Sequence, residues 1–169
     1  MRPLKLSIAK PSAPAQTARQ AAAWSETPLD RAERLFGAPA HLVLLSDNGP
    51  ALSFMGWTLG TATAATSDPA AGIASRNVVV EVMLSETGDY VIFERIETHM
   101  TDGRLELGAT VAEFPAPRDV HRYCEQGTLD PQADAARAAA VDHSARSWPW
   151  LKRPGRGAAS DSAAPPFPI

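Results

Sequence analysis

Between residues 77 and 114 the chain runs through three stretches of apolar and β-branched residues, each bounded by turn residues, and this pattern leaves few folds open. In the first, about 77–84, Val78, Val80 and Val82 fall on one face of a strand, while Val79, Glu81 and Met83 fall on the other. Ser85-Glu86-Thr87-Gly88-Asp89 then turns the chain, and a second strand is expected over about 90–99. Asp102-Gly103 marks a tight hairpin, after which Leu105, Leu107, Ala109 and Val111 alternate with smaller or polar residues over about 105–114. Short turns join neighbouring strands antiparallel, because a parallel pair needs a long crossover. The expected centre is therefore an antiparallel β-meander.

The flanks extend it to an α+β domain. His41 to Leu45 is a compact apolar strand ended by Ser46-Asp47-Asn48-Gly49-Pro50, and residues 51–63 suggest another. In that second stretch Gly56 and Gly60 predict a bulge or a close backbone approach. Thr27 before Pro28 starts a helix near 28–36, with Leu29, Ala32, Leu35 and Phe36 on one face. A second helix is expected near 117–126, with Val120, Tyr123 and Cys124 turned inward. Asp130-Pro131 starts a third, alanine-rich helix near 131–145, and the helices should pack on one face of the sheet. Residues 26–146 then form one domain, preceded by a weakly ordered arm over 1–25, where Leu4, Leu6 and Ile8 could make a short edge strand. A Pro-, Gly- and Ser-rich, disordered tail is expected over 147–169.

Composition narrows the function classes. A net charge of −3 gives no chain-wide basic field for phosphate backbones. The single cysteine, Cys124, rules out an internal disulfide and fits a reducing compartment. No apolar run approaches the ~20 residues needed to span a bilayer, so no membrane partner is expected. Residues 1–25 carry Arg2, Lys5, Lys10 and Arg19 with no acid, the composition of an organellar transit peptide. A GC-rich bacterial genome produces the same composition in an ordinary N-terminal arm. That origin, with a cytoplasmic location, is preferred.

Candidate chemistry is sparse. His121 and Cys124 lie three apart on one helical face, but two ligands do not make a zinc site, and neither a metal nor another cofactor is expected. Cys124 as a nucleophile would need an electropositive, partly open pocket, whereas its position points to the core. Asp142-His143-Ser144 has the residue types of a triad without a nucleophile elbow. Gly56-Trp57-Thr58-Leu59-Gly60-Thr61 lacks the lysine and spacing of a phosphate loop. Glu81, Glu94, Glu97 and Glu106 lie on adjacent strands with Arg95 and Arg104 as partners, the usual composition of a solvated sheet face. If Glu94, Glu97 and His99 converged in a concave pocket, they could serve a small ligand-binding or hydrolytic enzyme.

The most distinctive local feature is Trp148-Pro149-Trp150-Leu151-Lys152-Arg153, followed by Arg156. The tryptophans could fold back on a core poor in aromatics. Alternatively Trp148, Trp150, Lys152, Arg153 and Arg156 could dock a protein partner or, less favourably, stack on nucleic acid. The residues carry no family motif. The leading expectation is a non-enzymatic protein-interaction or regulatory protein that uses the sheet face or this tail.

Overall fold

A computed structural model describes residues 26–47 and 49–153. The expected edge strand at Leu4–Ile8, the rest of the 1–25 arm, and the tail beyond Arg153, with Arg156, lie outside the described residues. Helix α1 (Pro28–Phe36) is followed by strands β1 (Ala40–Leu44), β2 (Leu52–Asp68), β3 (Ile73–Ser85), β4 (Tyr90–Met100) and β5 (Leu105–Phe114). Helices α2 (Pro117–Gln126) and α3 (Pro131–Ser147) follow, and a 3-10 turn at Pro149–Leu151 ends the described chain. The five strands form one antiparallel sheet in chain order. The fold is the expected α+β meander. No described helix is long and apolar enough to cross a membrane.

Both meander turns use one device. Gly88 N–H donates to Ser85 O (3.0 Å) and Ser85 N–H to Asp89 O (2.8 Å); Gly103 repeats the pattern with Met100 O (3.0 Å), and Met100 N–H with Arg104 O (2.8 Å). These are three-residue loops, in which a type I turn is followed by a left-handed residue. Gly88 and Gly103 fill that place at φ 92° and 87°, where a side chain would be strained. The β2–β3 hairpin is longer than its sequence suggests. The strand expected over 51–63 runs on to Asp68, and little more than a 3-10 turn at Pro69–Ala71 separates it from β3, because Ala62 to Thr66 pair with Val80 to Arg76.

The period-two alternation splits the sheet into two faces. Trp57, Val78, Val80, Val82, Leu84, Tyr90 and Ile92 form the main core with the helices. Helix α3 meets this face with Ala133, Ala136, Ala140 and Ser144, all buried. Small side chains on the helix, and Gly60, Ala62 and Ala64 on β2, bring the two backbones close together. A Cβ placed on Gly60 would sit 2.9 Å from Ser144 N and 3.1 Å from Ser144 Cα. The alanine-rich helix is thus a tightly seated one.

The α3 N-terminus is fastened to the sheet by charge. The Asp130 carboxylate caps the helix, accepting from Gln132 N–H (3.1 Å) and Ala133 N–H (3.2 Å), and is paired with Arg76 of β3. The hydrogen bond from Arg76 holds its pKa below the ordinary aspartate value, outweighing the opposite pull of partial burial. A carboxyl with a depressed folded pKa adds stability above its unfolded pKa and loses it as pH falls through the folded one. Asp130→Ala should therefore cost about 1–2 kcal/mol at neutral pH. The melting-temperature gap to wild type should narrow between neutral pH and about pH 3, as the pH approaches the lowered folded pKa. Melting curves with an equal gap at both pH values would refute the assignment.

The C-terminal aromatic run belongs to the fold. Trp148 and Leu151 are fully buried, Trp148 Nε1–H donates to Tyr90 Oη (3.2 Å), and the Trp148 and Trp150 rings lie 5.0 Å apart. Phe36 packs at 6.3 Å on Trp148, and Arg31 covers Trp150 at 5.8 Å. Packed structure therefore continues past 146. The tryptophans add their aromatic volume to that of Trp57 and Tyr90 in the main core.

Candidate interaction groove

The second sheet face carries its own small core, built from Leu44, Met83 and Val91 with Leu42, Leu52, Phe54, Phe93 and Val111 packed around them. These side chains come from all five strands, so the β1–β2 hairpin must fold over the face. Just past β1, Asp47 makes the closure. Its N–H donates to Ala109 O (2.8 Å) and its carboxylate accepts from Ala109 N–H (2.8 Å). Ser46 Oγ–H adds a longer bond to the same carbonyl (3.4 Å). Asp47 thereby meets β5 as a residue of a neighbouring strand would, and ties the first strand to the last.

The closure is local, and beside it the face stays open. A groove of about 550 Å³ runs between the end of β1 and the β4–β5 ladder. Phe93 is its partly buried floor, and Val43, Leu45 and Leu107 are its walls, with Arg95 and Glu97 at one side. The walls are 56%, 69% and 66% exposed, high values for large apolar side chains in a cluster. Leu105, 51% exposed, continues the same row of β5. The apolar row Leu105, Leu107, Ala109 and Val111 of β5 is therefore unevenly covered. Val111 lies under the folded-over hairpin, whereas Leu105 and Leu107 lie beyond its reach.

The candidate catalytic residues do not assemble. Glu94 faces the helices, whereas Glu97 and His99 are in register positions that face the other way. Glu94 is 4% exposed and accepts from Arg137 Nε–H at 2.7 Å. Arg137 also reaches Asp134 at 3.0 Å and lies over the Tyr123 ring at 5.2 Å. Burial works against the Arg137 cation, but the Glu94 hydrogen bond and charge outweigh it and raise the pKa. Glu94 is accordingly a buried partner of Arg137 on the helix-covered face. Glu97 has a loose pair with Arg95 (3.7 Å), and His99 is exposed. Of the other acids, Glu81 shares the face of Glu97, and Glu106 lies opposite Thr98 on the face of Glu94. The four glutamates form no single row.

The remaining sites dissolve in the same way. Burial pushes the Cys124 thiol up, which disfavours the thiolate a nucleophile needs. His121 is buried, and neither ring nitrogen has a hydrogen-bond partner among the described residues. No group of three or more His, Cys, Asp or Glu among the described residues is arranged to hold a metal. Ser144 is fully buried and donates to Ala140 O (2.8 Å), while exposed His143 bonds Thr61 O (2.9 Å). In Gly56–Thr61 the ladder shifts register between Thr58 and Gly60, which is the bulge expected of a bent strand.

Of the tail residues singled out for docking, Trp148 is occupied by the core and Trp150 is half-buried, leaving Lys152 and Arg153 exposed. The sequence points to the sheet face as a docking surface but not to these apolar walls. Their signal was the unbroken apolar run Leu42-Val43-Leu44-Leu45, which exceeds what a single buried face can absorb. Comparison of the chain with protein-family models, with curated proteins and with solved structures finds no match in any of the three.

Proposed function

We propose that this is a non-enzymatic protein-interaction or regulatory protein, and that its docking surface is the groove between β1 and β5. The observation that carries this reading is the group of exposed apolar walls, Val43, Leu45 and Leu107, around Phe93. Large apolar side chains gathered around a concavity gain roughly 25 cal/mol for each Å² of apolar surface that a partner covers. The flanking Arg95 and Glu97 give such a partner a polar rim to register against. The separation of Glu94 from Glu97 and His99 takes support away from the enzymatic alternative. Burial of Trp148 takes support from nucleic-acid stacking by the tail. The one half-buried cysteine suits a reducing compartment, and we assign the protein to the cytoplasm on that ground.

The test compares three full-length baits by quantitative mass spectrometry: wild type, Leu45→Glu with Leu107→Glu, and Leu129→Glu as an exposed control. Wild type and the control should recover the same specific protein. The groove variant, with unchanged circular dichroism, should recover about tenfold less, since a charge buried in an apolar contact is costly. Equal recovery by all three baits, or no specific protein with any, would end the proposal.

A further inference from the structure

The groove opens onto a sheet edge that is only partly closed. In the β4–β5 ladder Ala109 turns its N–H and C=O away from β4, where Asp47 takes both. Strand groups alternate sides, so Leu107 and Leu105, two and four residues earlier, turn theirs to the same outer side. The exposed side chains of these two leucines lie on the groove face. This edge offers main-chain hydrogen bonds and an apolar row together, over a length of about three residues. An extended segment that pairs here would place alternate side chains toward the groove.

The chain contains a segment of that character. Leu4, Leu6 and Ile8 alternate with Lys5 and Ser7, bracketed by Pro3 and Pro11, which limit a strand to this short length. Charge favours the same match. Residues 1–25 hold four basic side chains and no acid, whereas residues 26–153 hold eighteen acids and eleven bases. Glu106, beside the two leucines, has a 59% exposed side chain and only a loose pair with Arg104 (3.7 Å). It would lie on the side to which Lys5 turns. Reach is ample, since the chain from Ile8 to Glu26 can extend to about 60 Å. A domain of this size is about 35 Å across.

We propose that Leu4–Ile8 adds to the free edge of β5, with Leu4, Leu6 and Ile8 toward the groove, and occupies it until a partner displaces the segment. This rests on the proposed docking function and makes it self-inhibited. Two measurements on the full chain test it. In wild type, the Leu105 and Leu107 amides should exchange slowly with solvent, and Leu6→Glu should speed both at least tenfold. Fast exchange in wild type, or protection indifferent to Leu6→Glu, overturns the proposal. In a Cys124→Ser background, Leu6→Cys with Leu107→Cys should close an intrachain disulfide about ten times faster than Leu6→Cys with Leu129→Cys. Equal rates would overturn the assignment, and so would bonding found only between two chains. If these tests fail while partner recovery still depends on Leu45 and Leu107, the docking function survives without its occupant.

Discussion

Gly60→Ala is expected to destabilise the protein by about 2–3 kcal/mol, the upper part of the range found for overpacked cores. The sign is what makes the result informative. An alanine at an unstrained glycine normally adds about 0.4–1 kcal/mol, by restricting the unfolded chain. Gly60 does not lie in the left-handed region, so its backbone tolerates alanine, and only the space is wrong. The added methyl would meet Ser144 Oγ, which can rotate away, but also Ser144 N and Cα at 2.9 and 3.1 Å, which cannot. The helix must lift off β2, loosening the alanine contacts along its buried side. Ser144→Gly should therefore rescue little. Denaturant titrations that find Gly60→Ala as stable as wild type would show that the helix does not sit on this strand as described.

Arg137→Met is expected to cost about 3–5 kcal/mol, because it strands the Glu94 carboxylate inside the core. Against a typical domain stability of about 5–15 kcal/mol, that removes between about a fifth and all of the margin. The ion pair itself need not stabilise the fold, since desolvating two charges offsets most of their attraction. Glu94→Leu combined with Arg137→Met should accordingly recover at least half of the loss. Asp134, left without Arg137, lies nearer solvent with a 27% exposed side chain and can rehydrate. A double variant whose loss equals the sum of the two singles would show that Glu94 and Arg137 are energetically independent.

These two positions show what the sequence made legible. The meander was readable because its information is local: alternation inside each strand, and glycine at the two turn positions that need positive φ. The helix starts were local too, in Thr27-Pro28 and Asp130-Pro131. Parity along β4 puts Glu94 on the opposite face from Glu97 and His99, so alternation by itself separates that trio. Which face the helices would cover was not local. It decided whether Glu94 became a solvated carboxylate or a buried one. The groove was hidden for the same reason. Leu107 and Val111 look equivalent along β5, yet the folded-over β1–β2 hairpin covers one and leaves the other exposed. The difference depends on Asp47 meeting Ala109 across sixty-two positions of chain. No window of sequence spans that.

The order of the strands has a kinetic consequence. Each ladder joins neighbours in the chain, so the meander can zip hairpin by hairpin as it leaves the ribosome, with little loop entropy to overcome at each step. Two joints must wait. Asp47 has no partner until β5 has been synthesised, and β2 stays uncovered on its helix-facing side until α3 emerges more than sixty residues later. Until β5 is made the nascent sheet shows apolar surface on both faces and bare edges at both ends, and afterwards the helix-facing side still waits. The protein's exposure to aggregation is therefore greatest before the fifth strand is complete and ends only with the arrival of the last helix.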